Sequence, residues 1–252
     1  MLLTLYAIVC ILLAAIVRGF SGFGFSMLVI TSISLIIPPV EVIASVMMLE
    51  VAASIHMLPG VWRSVHWRSL GFLTLGQIIA TPLGVWALAN LPVGPMKLAL
   101  GLFVLGTVAL LASGFALKRM PGVAATTATG AASGLLNGAF GIGGPPVVLF
   151  FLSSPAGAAA GRASLVAFFF LTDIVALGWQ FQQNLLTLDH LRNAALYLPA
   201  LIAGIWIGSL GFKRADPAIF RKTVLALLAV LATLIAAQGA ASFFPQSLIP
   251  TF

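Results

Sequence analysis

Acidic residues are scarce in this 252-residue chain. Five Asp and Glu stand against twelve Lys and Arg, and charged residues make up 7% of the whole. An average soluble domain carries about 25%, so a chain this poor in charge cannot clothe a water-facing surface. Cysteine is represented by Cys10 alone, which lies in an apolar run and has no partner for an internal disulfide. The three histidines are widely separated from it and from one another, and no metal-ligand spacing results. A Gly-x-x-x-x-Gly-Lys-Ser/Thr loop is also missing, which argues against nucleotide hydrolysis by this chain. Gly141-Ile142-Gly143-Gly144 has neither the preceding strand nor the soluble domain of a dinucleotide site. No basic segment precedes the first apolar run, so a cleaved signal peptide is not expected. No cluster of catalytic residues stands out, and neither an enzyme nor a cofactor is expected.

What the chain does have is hydrophobic residues, 61% of the total, gathered into runs. These fall at about 2–17, 23–37, 41–58, 69–89, 94–117, 122–140, 144–152, 163–181, 192–211 and 217–241. A helix needs about 20 residues to cross a hydrocarbon core of roughly 30 Å. The long runs can therefore cross alone, while 23–37 and especially 144–152 look like half-helices or re-entrant segments. The fold class expected is all-α and integral to a lipid bilayer, with eight to ten spanning or half-spanning helices. The formal charge of +7 is spread over short loops and forms no basic face for nucleic acid. Trp62, Trp67 and Trp179 lie at span ends, where an aromatic belt belongs.

Each short run follows a glycine-rich break. The first reads Gly19-Phe20-Ser21-Gly22-Phe23-Gly24-Phe25-Ser26 and the second Gly138-Ala139-Phe140-Gly141-Ile142-Gly143-Gly144-Pro145-Pro146. Gly19, Gly22 and Gly24 superpose on Gly138, Gly141 and Gly143 at a displacement of 119 residues. Ala44-Ser45 then falls on Ala163-Ser164, Gly84-Val85-Trp86 on Gly204-Ile205-Trp206, and Lys97 on Arg221, as the displacement drifts to 124. The order and near-constant spacing indicate an internal repeat, with halves at 1–120 and 121–252 forming one transmembrane domain.

Loop charge predicts how the halves are related. Arg63, Arg68, Lys118, Arg119, Lys213, Arg214, Arg221 and Lys222 fall in or beside three loops, and Lys97 and Arg192 in the loops between. Placing the first set in the cytoplasm satisfies the positive-inside rule and puts equivalent loops on opposite faces. The halves are then inverted repeats, with both chain termini on the non-cytoplasmic side of a cell inner membrane. Either the segments flanking each break form a re-entrant hairpin or both cross; the sequence leaves the two open.

A broken helix survives at membrane depth only inside protein or around a polar cavity. Two breaks at equivalent positions predict a central site, where half-helix N-termini offer N–H donors and a partial positive charge to a small anion. The candidate ligands are Arg18, Ser21, Gly22, Gly24, Ser26, Asn137, Gly141, Gly143 and Pro145. Arg18 either lines a wet cavity, where its planar fork suits an oxyanion, or snorkels to the headgroups. Arg162 reads as an interfacial residue. Glu50 and Asp173 are the carboxylates well inside predicted spans and are candidates for proton coupling, the bland alternative being a paired carboxyl that holds helices together. His56 and Gln77 read as interhelical hydrogen-bonding residues, His66 and His190 as loop residues.

These features resemble a known family. The run Gly134-Leu135-Leu136-Asn137-Gly138-Ala139-Phe140-Gly141-Ile142-Gly143-Gly144-Pro145-Pro146, with its looser copy in the first half, is similar to the sulfite exporter TauE/SafE family of membrane transporters. The resemblance spans nearly the whole chain. It implies movement of sulfur-containing anions, such as sulfite, sulfoacetate and other organosulfonates, and homodimers as an assembly. The expectation is a secondary transporter working by alternating access, the rivals being a channel-like anion conduit or a carrier of small carboxylates.

Overall fold

A computed structural model describes residues 2–114, 121–152, 158–211 and 217–243. Among the described residues every regular element is helical: α1 (Leu2–Ser21), α2 (Phe25–Ile33), α3 (Pro39–Val61), α4 (Trp67–Asn90), α5 (Val93–Ala112), α6 (Val123–Phe140), α7 (Gly144–Leu152), α8 (Ala158–Gln182), α9 (Leu188–Gly211) and α10 (Pro217–Ala241), with one 3-10 turn at Trp62–Ser64. Each apolar run of the sequence yields one helix. The order long, short, long, long, long occurs twice, in α1–α5 and in α6–α10.

Local chemistry sets the helix ends. Pro39 opens α3, its fixed φ suiting the first helical turn, and the His66 ring accepts the Ser69 N–H to cap α4. The two breaks need backbone that only glycine adopts without strain. Gly24 precedes α2 at φ 91°, and Gly141 ends α6 at φ 66°. At each break the chain doubles back. Tyr6, early in α1, donates to the carbonyl of Ser32 near the end of α2 at 2.9 Å, so α2 runs antiparallel along α1. With nine residues, α2 and α7 each rise about 13.5 Å, roughly half a hydrocarbon core.

Within an apolar core the protein buries a set of polar and charged side chains, and its exterior is apolar, unlike that of a soluble protein. Arg18, Glu50, Gln77, Asn137, Thr172, Asp173 and Gln180 are buried, while Ile79, Leu83, Trp86, Trp206 and Val230 face outward. Such a surface suits hydrocarbon. Six helices among the described residues (α1, α3, α4, α5, α8 and α9) are long and apolar enough to cross a membrane.

Glycines bring the long helices into backbone contact. Gly130, Gly134 and Gly138 of α6 rest on the carbonyls of Leu73, Gln77 and Thr81 of α4, residue numbers rising together, so these helices are parallel. Gly204 and Gly208 of α9 rest on the carbonyls of Leu12 and Ile16 of α1, again in parallel. By contrast α5 and α10 are antiparallel, Gly101 meeting Ala236 and Gly94 meeting Ser242. The same holds for α3 and α8: Gln180 reaches Met47 at one end, while His66, beyond the other end of α3, is bonded to Ser164.

Gly84 of α4 rests on the carbonyl of Leu135, and in α9 Gly208 rests on the carbonyl of Ile16, 119 residues before Leu135. Gly84 and Gly208 are 124 residues apart, the separation that also relates His66 to His190. Those two histidine backbones pair crosswise with the two serines of the earlier match: Ser45 donates to the His190 carbonyl at 3.1 Å, and the His66 N–H donates to Ser164 at 2.9 Å. The loops preceding α4 and α6 share one face of the molecule, where His66, Arg68, Pro121 and Gly122 line a common pocket. Lys118, Arg119, Lys213 and Arg214 lie outside the described residues, as does the side chain of Arg221.

Candidate functional site

The two glycine breaks close on one cavity. Gly24, Ser26 and Glu50 line it from the first five helices, and Asn137, Gly143, Pro145 and Asp173 from the second five. Its volume is about 20 Å³, room for about one water molecule.

Glu50, in the middle of α3, commands the first side. Its carboxylate accepts from the backbone N–H of Ser26 at 3.2 Å and from the Ser26 hydroxyl, both in the first turn of α2. Its other oxygen is ion-paired with Arg18 of α1. Arg18 is fully buried; it also donates to the Ser54 hydroxyl at 2.9 Å and lies 5.4 Å from the centre of the Phe169 ring. A guanidinium, a hydroxyl and a helix N-terminus thus converge on a single carboxylate, the donor set of an anion site. Arg18 neither snorkels nor lines the cavity, because Glu50 stands between it and the open space.

The second side has the same layout with different chemistry. Asn137 donates to Oδ1 of Asp173 at 2.9 Å, across the same 36 residues that separate Arg18 from Ser54. Asn137 lies 119 residues after Arg18, and Asp173 lies 119 after Ser54. The side-chain oxygen of Asn137 also accepts the Gly143 N–H at 3.1 Å, and the Ser133 hydroxyl donates to the Gly143 carbonyl. The first turn of α7 is poor in donors, since Pro145 and Pro146 have no N–H. This break therefore lacks the donor array expected of it. Asp173 is buried, and its Oδ2 has no hydrogen-bond partner among the described residues.

Three of the expected ligands make contacts within the fold. The Ser21 hydroxyl donates to the carbonyls of Val17 and Phe23, each at 2.8 Å, and holds the turn. Gly22, at φ 82°, packs under the side chain of Arg162, whose guanidinium donates to the Gly19 carbonyl at 3.0 Å. Gly141 abuts Ile30 and Ile43. Arg162 is therefore packed against the first break. Gln77 is buried and accepts from Thr172 at 2.7 Å, an interhelical bond, while His56 is exposed. Sequence reasoning did not single out Ser54 and Phe169, although Ser54 precedes Asp173 by the displacement that relates Arg18 to Asn137.

An all-helical membrane protein in which two broken hairpins meet at one buried ionic site has the build of a transporter. The chain belongs to the family Sulfite exporter TauE/SafE, a family of membrane transporters, whose pattern matches residues 7–235. It is 27% identical over 214 residues to the probable sulfite/organosulfonate exporter TauE of Cupriavidus necator, with 82% of this chain and 84% of that protein covered. No solved structure matches. Together the family and the apolar helices make this a multi-pass membrane protein.

Proposed function

We propose that this chain is a secondary transporter of small sulfur-containing anions, organosulfonates such as sulfoacetate or sulfite, working by alternating access in the inner membrane. One observation carries the reading. The carboxylate of Glu50 already sits in an anion site made by Arg18 and the N-terminus of α2, so the protein supplies an anion of its own where a transported one would bind. A sulfonate presents oxygens in a similar fork to the same donors. The relative's name points to the same anions.

Opposed helix directions support an inverted pair of five-helix segments. Helices α3 and α8, and likewise α5 and α10, hold equivalent positions and run antiparallel, while α1 lies along α9 as α6 lies along α4. In this reading α1–α2 and α6–α7 are re-entrant hairpins, and the other helices span. The face carrying Arg63, Arg68 and the α5–α6 loop is cytoplasmic, which leaves both termini outside. The occupant Glu50 is a carboxylate, and this favours small carboxylates as the second substrate class.

A thermal-shift screen of purified protein tests the reading. Methanesulfonate, sulfoacetate, sulfite, sulfate and acetate are each titrated. A true ligand at a hundred times its Kd stabilises the folded form by about 2.7 kcal/mol. Sulfonates or sulfite are expected to raise Tm above matched chloride. Stabilisation by acetate alone would move the assignment to carboxylates, and no stabilisation by any anion would end it.

A further inference from the structure

We propose that the transported anion and the carboxylate of Glu50 compete for Arg18, so that each anion crosses together with one proton. This rests on the anion-transport reading above and specifies its coupling.

The geometry permits no simpler route to Arg18. Glu50 lines the cavity and Arg18 does not, so an anion entering the cavity meets a carboxylate first. It reaches the guanidinium only when Glu50 leaves. The Arg18–Glu50 pair is neutral as a unit. A monovalent anion that takes over Arg18 restores one neutral pair and strands a second negative charge in a buried site. A stranded charge at membrane depth is far costlier than a neutral acid. The displaced Glu50 therefore takes a proton: an O–H bond forms on its carboxyl, and the Arg18–sulfonate pair replaces the Arg18–Glu50 pair. On the opposite side of the membrane the anion departs, the proton leaves Glu50, and the internal pair closes again.

The surroundings fit this exchange. The groups facing Glu50 are Arg18 from α1, Ser26 from α2 and Asp173 across the cavity from α8; Ser54, on its own helix, shares Arg18. No other ionisable side chain lines the cavity among the described residues. Asp173 lines the same space and its Oδ2 has no hydrogen-bond partner among the described residues, which makes it the second carboxyl able to pass a proton to and from Glu50. The bonds from Ser26 hold Glu50 when it is charged and become available to the anion when it is not.

The test uses the wild-type protein in liposomes loaded with a pH-sensitive dye. Methanesulfonate is the probe, because it is fully ionised and carries no proton of its own. An inward methanesulfonate gradient should acidify the lumen, with one proton per sulfonate, and clamping the membrane potential with potassium and valinomycin should leave the rate unchanged. Sulfonate flux without acidification, or with alkalinisation, overturns the proposal while leaving the transport reading standing. No flux with methanesulfonate, sulfoacetate or sulfite overturns both.

In Glu50→Gln no carboxylate refills Arg18 after release, and the empty form cannot return. Net flux should fall at least about tenfold, and the sulfonate flux that remains should no longer acidify the lumen. Asp173→Asn should slow net flux and keep one proton per sulfonate. If Asp173→Asn abolishes acidification and Glu50→Gln does not, the proton belongs to Asp173 and the competition at Arg18 is wrong.

Discussion

The two breaks have the same layout and opposite chemistry. In the first, Arg18 and the N-terminus of α2 form a cationic cradle for Glu50. In the second, Asn137 stands where Arg18 would be, two prolines remove donors from α7, and Asp173 is served by a neutral amide. Backbone geometry alone would give two similar anion sites. Side chains make one break a cationic cradle and leave the other as its counterpart wall, with the carboxyl of Asp173 lining the space between. Charge is thus divided between the segments while the helix packing is shared.

Substitutions on the two sides of the cavity break or sharpen this contrast. Arg18→Gln should weaken sulfonate binding about a hundredfold, about 2.7 kcal/mol, whereas Asn137→Ala at the matching position should cost less than tenfold. Equal losses in titration calorimetry would erase the difference between the breaks. The double variant Arg18→Gln with Glu50→Gln should recover thermal stability without recovering binding, which separates the ligand role from the packing role.

Next in size are the glycines that both segments use alike. Gly84→Val and Gly208→Val each force a side chain into a neighbouring backbone carbonyl and should destabilise by about 1–3 kcal/mol. Similar drops in Tm in detergent are expected, and a drop in only one would mean that the two glycines are not equivalent. Ser26→Ala removes one of the three donor groups that meet at Glu50 and should weaken binding about tenfold. Pro145→Ala restores an N–H at the first turn of α7 and should change affinity by less than about threefold, because Asn137 and Ser133 already tie that break down. A tenfold gain would make the α7 terminus a ligand after all.

Much of this was legible in the sequence because membrane helices declare themselves by length and hydropathy. The ten apolar runs became ten helices, and the short pair at 23–37 and 144–152 became α2 and α7. The glycine breaks and the two buried carboxylates were also visible, since both break a strong apolar pattern. Partnership was not. Nothing in a spacing of 32 residues says that Arg18 meets Glu50, and that pair decides whether Arg18 is free to bind. The contact of Arg162 was hidden for a similar reason: it donates to the Gly19 carbonyl, a backbone group with no mark in the sequence. Gly84-Val85-Trp86 was matched to Gly204-Ile205-Trp206, whereas the α9 glycine on the Ile16 carbonyl is Gly208, one helical turn further on; small and apolar residues recur often enough for both alignments to look regular.

The size of the central cavity has a consequence for the cell. At about 20 Å³ it has room for about one water molecule, too little for a file of waters between the two breaks. A membrane held at about 100 mV stores about 2.3 kcal/mol for each charge that leaks through it. At this one point, among the described residues, the space between the two segments is too small for a hydrated ion to pass.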